Sequence, residues 1–162
     1  VAYKNSKTYK LITIILLSFL LIGCNKKQNL ANELFYDTNY QLIESKDKWL
    51  IINYWAIWCK PCRSEVLELN SLINHLPNHI QLIGVNYDKD SDEQIMQNIN
   101  KLDINFPVLN KQAAISLVNK LPKPRGLPAT YIIDNKGKLR RELIGEQTKD
   151  SIYNELTKLK AL

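Results

Sequence analysis

"CKPCRSEVLELNSLINHLPNH", Cys59 to His79, decides the fold of this chain, because it satisfies two incompatible templates. Taken as ligands, it has the C-x2-C-x12-H-x3-H spacing of a two-Cys, two-His zinc finger, a small metal-held nucleic-acid binder. Taken as thiol chemistry, it is a C-x-x-C pair at the start of a helix, the arrangement of a redox dithiol. The segment itself weighs against the finger. Pro77 lies between His75 and His79. Inside a helix its ring would clash with the carbonyl of Ile73, at a cost of ~3 kcal/mol. Lys60 and Arg63 are offset by Glu65 and Glu68, which leaves no net charge for phosphate contacts.

The surroundings favour the dithiol. "WLIINYW", Trp49 to Trp55, is a nearly continuous apolar run, the pattern of a strand buried on both faces. From Lys60 the period changes: Cys62, Val66, Leu69, Ile73 and Leu76 form one stripe of a helix. Cys59 therefore sits at a helix N-terminus, where unsatisfied backbone N–H groups and the dipole stabilise a thiolate. Lys60 adds positive charge beside it, and Pro61 suits the first turn because its missing N–H has no partner to lose. Cys62, on the apolar stripe, is placed as the shielded resolving thiol. As a purely structural staple the pair would be poor, since so short a loop is worth only ~2 kcal/mol.

The remaining cysteine has a separate explanation. Lys4, Lys7 and Lys10 precede an uncharged apolar run, Leu11 to Gly23, that ends in Leu21-Ile22-Gly23-Cys24. The run is shorter than the ~20 residues that span a bilayer and fits a secretory signal peptide. Its end resembles a bacterial lipoprotein lipobox, which implies cleavage before Cys24 and acylation of its sulfur. Residues 1–23 are thus expected to be a signal peptide, 24–33 a polar tether, and 34–162 a single domain. Counted from Cys24, the chain has nineteen basic and sixteen acidic side chains, so the excess falls from +6 to +3. That is no nucleic-acid-binding footprint. The setting expected is the bacterial cell envelope, lipid-anchored and facing the periplasm or the outer side of the cytoplasmic membrane, where disulfides persist.

Downstream, the patterns alternate. A first strand is expected within Leu34 to Ile43, and another at Ile80 to Tyr87. Ser91 with Gln94 forms a capping box for a helix carrying Ile95, Ile99 and Leu102. "FPVLN" reads as extended, and Lys111 to Lys120 as a short helix. "ATYIID", "NKG" and "KLRRELIG" read as a hairpin, and Thr148 caps a last helix. The class predicted is α/β, a central mixed β-sheet flanked by helices. The acidic run Asp88 to Glu93 lacks the glycine and the bidentate acid of a calcium loop, and no metal site is expected.

"NYWAIWCKPCRSE", followed by "IGVNYDKDSDEQI", "FPVL" and "GLPATYIIDNKGKL", resembles the thioredoxin superfamily, specifically its TlpA/ResA-like branch of membrane-attached thiol–disulfide oxidoreductases. The resemblance runs from about Trp49 to the C-terminus. It implies a thioredoxin-like fold with an extra strand and helix inserted before a cis-proline loop. It makes Cys59 the nucleophile, Cys62 the resolving thiol and Pro128 the cis-proline against the dithiol. Leu127 would offer backbone hydrogen bonds to an extended substrate. Trp58 is expected to cover the dithiol and Trp55 to lie in the core. Thioredoxins proper carry a buried aspartate where this chain has Asn53, so that base is absent. Glu65 is either a helix-favouring glutamate of the first turn or a match to the acid that ResA-like members keep near the dithiol, a proton relay for Cys62.

The function expected is reduction of disulfides in exported proteins, with apocytochrome c as one candidate. The cofactor is the Cys59–Cys62 disulfide itself, and a membrane thiol transporter would supply electrons. The alternatives are a disulfide-forming oxidase or isomerase and, from another class, a copper or zinc carrier using the dithiol.

Overall fold

The computed structural model describes residues 30–88 and 90–162. The expected signal peptide, its lipobox and Cys24 lie outside the described residues. Elements follow in the order β1 (Leu34–Tyr36), β2 (Leu42–Glu44), β3 (Trp49–Trp55), α1 (Lys60–Ile73), β4 (Ile80–Asn86), α2 (Asp92–Leu102), α3 (Lys111–Val118), β5 (Ala129–Ile133), β6 (Leu139–Ile144) and α4 (Lys149–Lys158).

The main sheet has the order β4-β3-β5-β6. β3 runs parallel to β4, with Trp49 opposite Ile80 and Trp55 opposite Asn86. It runs antiparallel to β5, with Leu50 opposite Ile133 and Tyr54 opposite Ala129. β6 closes the sheet antiparallel to β5. The sheet is therefore mixed, as its α/β pattern predicted. The parallel step costs a crossover helix, α1, whereas β5 and β6 need only the turn around Gly137, whose φ is 74°.

Because side chains alternate across a strand, β3 supplies two cores at once. Leu50, Ile52 and Tyr54 pack with Phe35 and Ile43 of the first hairpin and with Ala113, Ala114 and Leu117 of α3. Ile51 and Trp55 pack with Val66, Leu69 and Leu72 of α1 and Ile152 and Leu156 of α4. Asn53 is the polar exception on this second face and is only 2% exposed.

Three expectations need correction. The stretch Leu34 to Ile43 is no single strand: β1 and β2 form a small antiparallel hairpin, because the turn between them places Tyr40 at φ 58°. The tether assigned to 24–33 ends sooner, since Leu30 is 1% exposed. Its N–H donates to the Gly137 carbonyl at 3.3 Å, and its own carbonyl accepts from Ser45 Oγ at 2.7 Å. Helix α1 stops at Ile73, short of Leu76, where the helical stripe was expected to end, so His75 and His79 both lie beyond it. His75 Nδ1 contacts the Ser71 carbonyl, and His79 Nε2 the Ala161 carbonyl. The described residues contain no group of three or more His, Cys, Asp or Glu suited to a metal.

The insertion between β4 and β5 is stitched to the sheet at Gly84. Its N–H donates to Pro107 at 2.8 Å, and its carbonyl accepts from Leu109 at 2.9 Å, covering part of the β4 edge. This approach leaves no room for a side chain. A Cβ at Gly84 would meet Val108 Cγ2 at 2.9 Å, Phe106 at 3.0 Å and Trp55 Nε1 at 3.1 Å. Gly84→Ala is expected to destabilise the fold by about 1–3 kcal/mol. In urea unfolding this should appear as a lower midpoint with an unchanged slope.

Candidate active site

The site grows out of the turn between β3 and α1. After Trp55, residues 56–58 reverse the chain, and the Cys59 N–H donates to the Ala56 carbonyl at 3.1 Å. Arg63 folds back onto this turn, its guanidinium donating to the Ile57 carbonyl at 2.8 and 3.2 Å. Cys59 then takes the N-cap position of α1, with φ −76° and ψ 101°. Its sulfur accepts from the Cys62 N–H at 3.2 Å, the place an N-cap oxygen usually fills. Cys59 and Cys62 are joined as a disulfide, with Cα atoms 5.3 Å apart. Cys59 is 4% exposed and Cys62 1%, so the second thiol is the more shielded one.

Trp58, by contrast, is 61% exposed. Its indole N–H points at Asp88, 3.0 and 3.2 Å from the two carboxylate oxygens. An aromatic ring is thus held at the surface immediately before the first cysteine. Asp88 is a partner the sequence reading did not find. Trp55 is in the core at 1% exposure.

The β3–β5 pairing carries the proline loop to the same end of the sheet. Tyr54 opposite Ala129 puts Pro128 level with Trp55. The Leu127–Pro128 bond is cis, and Leu127 packs against the cluster that contains both cysteines. The Pro128 carbonyl accepts from the Gly145 N–H at 2.9 Å, which ties this loop to the end of β6.

Glu65 departs most from its simpler reading. It lies in the second turn of α1 and is fully buried, so it is no surface glutamate stabilising a helix start. It follows Cys62 by one helical turn, the spacing that brings side chains together on a helix. Its Oε2 accepts from Asn53 Nδ2 at 2.8 Å, and its Oε1 from the Gln147 N–H at 3.0 Å. Asn53 also reaches Thr130 Oγ1 at 3.1 Å. Burial pushes the Glu65 carboxyl up to about 7, against the opposing pull of those two hydrogen bonds, and Glu146 adds to the push. The amide that replaces the thioredoxin aspartate thus serves as a donor to this acid. A lone asparagine in an otherwise apolar strand was the sequence signal for that role. Thr130 and Gln147 carried none, because only the folded register brings them here.

The raised acid has a signed consequence. Folded Glu65 holds its proton more tightly than the unfolded chain does. Its contribution to stability is full below pH 4.5 and is lost as pH rises through 7. The total loss is on the order of 3 kcal/mol. Glu65→Gln should abolish this dependence in chemical denaturation between pH 4 and 8. Asn53→Ala, which removes a donor to the charged form, should move the titration upward.

Comparison with known proteins identifies the family and the fold. The AhpC/TSA family model matches residues 26–142. The thiol–disulfide oxidoreductase ResA of Bacillus anthracis is 31% identical over 123 residues, covering 74% of this chain and 68% of its own. Thioredoxin-like protein YneN of Bacillus subtilis is 29% identical over 117 residues, 71% of this chain and 67% of its own. Among solved structures, the exposed lipoprotein thioredoxin Etrx1 of Streptococcus pneumoniae superposes with a TM-score of 0.67 at 20% identity, covering 79% of this chain and 99% of that one. StoA of Bacillus subtilis gives 0.61 at 19% identity, covering 77% and 97%. The mixed sheet and the four helices of the described residues form a thioredoxin-like fold. The insertion between β4 and β5, however, holds two helices and isolated bridges at Val108 and Leu109 in place of the extra strand expected. The chain belongs to the AhpC/TSA family and is a thiol–disulfide oxidoreductase related to ResA.

Proposed function

We infer that this oxidoreductase is a lipid-anchored reductant of the bacterial envelope, attached through Cys24 and acting on disulfides in exported proteins, apocytochrome c among them. The position of the Cys59 sulfur supports Cys59 as the attacking thiol, whichever way the electrons run, while the reducing direction rests on the relation to ResA. That sulfur already occupies the acceptor site of the α1 N-cap, where the Cys62 N–H meets it at 3.2 Å. Reduction of the pair leaves that N–H, and the positive end of the helix, to stabilise a Cys59 thiolate.

The reducing cycle then balances as follows. The Cys59 thiolate attacks one sulfur of a substrate disulfide, forming a mixed disulfide and releasing the other substrate sulfur as a thiolate. Cys62 loses its proton and attacks the Cys59 sulfur. The Cys59–Cys62 disulfide closes, the second substrate sulfur leaves, and two electrons have passed to the substrate. Glu65 serves as acceptor for the Cys62 proton and passes it to a departing thiolate. An acid near 7 suits both halves of that transfer. Trp58 and the backbone of Leu127 beside cis-Pro128 form the surface that receives an extended substrate segment. A membrane thiol transporter returns the dithiol to its reduced state.

The reduction potential tests the direction. A value near about −270 mV, as in thioredoxin, supports a reductant, and one near about −120 mV, as in DsbA, overturns it in favour of an oxidase. Alkylation trapping in cells should find the pair mainly reduced. Cys62→Ser should accumulate mixed disulfides through Cys59, whereas Cys59→Ser should abolish insulin reduction. Glu65→Gln should slow resolution of the mixed disulfide and flatten its rise across pH 7. Stoichiometric metal on the purified reduced protein would instead support the carrier reading.

A further inference from the structure

The two ends of the sheet differ in what they carry. The dithiol turn, the cis-proline loop and the C-terminal end of β3 share one pole. At the other pole lie the β2–β3 connection, the β5–β6 turn and the last residues of the chain. The register places them together: Trp49 opposes Ile80, Leu50 opposes Ile133, and the Trp49 N–H donates to the His79 carbonyl while the His79 ring contacts Ala161. Leu30 enters the fold at this same pole, held by Gly137 and Ser45.

This entry pole is basic. Lys46, Lys136, Lys138 and Lys160 are exposed there, and Lys48 is half-buried. Among the described residues none of the five takes part in an ion pair. Of the acids nearby, Asp134 is taken by Arg140 at 3.0 Å and by the N–H groups of Lys136 and Lys138, and Glu33, beside Ser45, is paired with Lys120 at 2.6 Å. That leaves five lysines facing Asp47 and Glu44. Their surplus equals the +3 excess of the whole chain from Cys24 onward, and Lys26 and Lys27 precede the same point of entry. The remainder of the chain is therefore slightly acidic.

We propose that this entry pole, through Lys46, Lys48, Lys136, Lys138 and Lys160, docks on an anionic lipid bilayer and holds the dithiol pole away from the lipid. The proposal rests on the anchored reading of Cys24. The six residues from Cys24 to Leu30 span at most about 20 Å when fully extended. β3 alone separates the two poles by about 20 Å. A tether that short makes the entry pole the first part of the domain to meet the membrane. Clustered lysines close to a lipid surface gain about fivefold in binding for each one that reaches the anionic headgroups. The charge sits where the tether delivers it, and the chemistry sits where an exported protein can approach.

Lysine footprinting of the full lipidated chain tests this. The protein is placed on phosphatidylglycerol or phosphatidylcholine vesicles, treated with an amine-reactive reagent, and read residue by residue by mass spectrometry. On phosphatidylglycerol, labelling of Lys46, Lys136, Lys138 and Lys160 should slow by about fivefold or more. Lys60 and Lys149 should not change, and 1 M NaCl should remove the difference. The double variant Lys136→Glu, Lys138→Glu should restore labelling of Lys46 and Lys160 while insulin reduction persists. Equal labelling on both lipids, or slowing at Lys60 instead, overturns the proposal. So does slowing by soluble polyglutamate with none on vesicles, which would point to an acidic protein partner. Flotation with phosphatidylcholine vesicles in 1 M NaCl scores the anchor separately. A chain that stays in solution there loses the anchored reading, while the low-salt footprint on phosphatidylglycerol still decides the docking pole.

Discussion

β3 is the constraint on which the rest of the structure depends, because both of its edges and both of its faces are occupied. β4 and β5 take its backbone groups, and two separate apolar clusters take its side chains. A strand so enclosed has no freedom to slip, since a one-residue shift would exchange the two faces and bury the wrong residues. The turn that follows it inherits that rigidity. Cys59 is placed at the α1 N-terminus, and Pro128 reaches the same end of the sheet through the pairing of Tyr54 with Ala129.

The same alternation explains the buried acid. Asn53 shares its face with Ile51 and Trp55 and is aimed at α1, where Glu65 meets it. Among the described residues no cation neutralises Glu65; two N–H donors hold it instead. Desolvation outweighs those donors, which is why the carboxyl titrates near neutrality and not in the ordinary carboxylate range. A group in that state suits proton exchange with a thiol at neutral pH, where a surface glutamate would already be ionised.

Local signals carried much of the architecture. The apolar run of β3 marked a doubly buried strand. The Ser91–Gln94 capping box and the Thr148 cap began helices where hydrogen bonds confirm them. The zinc-finger spacing failed for a local reason too: α1 ends before Pro77, and both histidines bond to backbone carbonyls. The first hairpin was blurred because each of its strands is only three residues long, too short for a period of two to show. The tether was drawn too long because a single leucine in a polar stretch gives no sign that it is packed.

By itself the sequence determined the mixed α/β order and the dithiol at a helix start, because each depends on residues adjacent in the chain or on one helical or strand period. Pro128 was legible only through the family resemblance of its G-x-P-A-T motif. Tertiary structure alone decided that Glu65 is buried, that Asn53, Thr130 and Gln147 surround it, and that Asp88 holds Trp58. It also decided that the chain enters at the pole opposite the dithiol, among lysines that form no ion pair within the described residues. Those facts depend on contacts between elements distant in sequence, and such contacts exist only once the strands have paired in register.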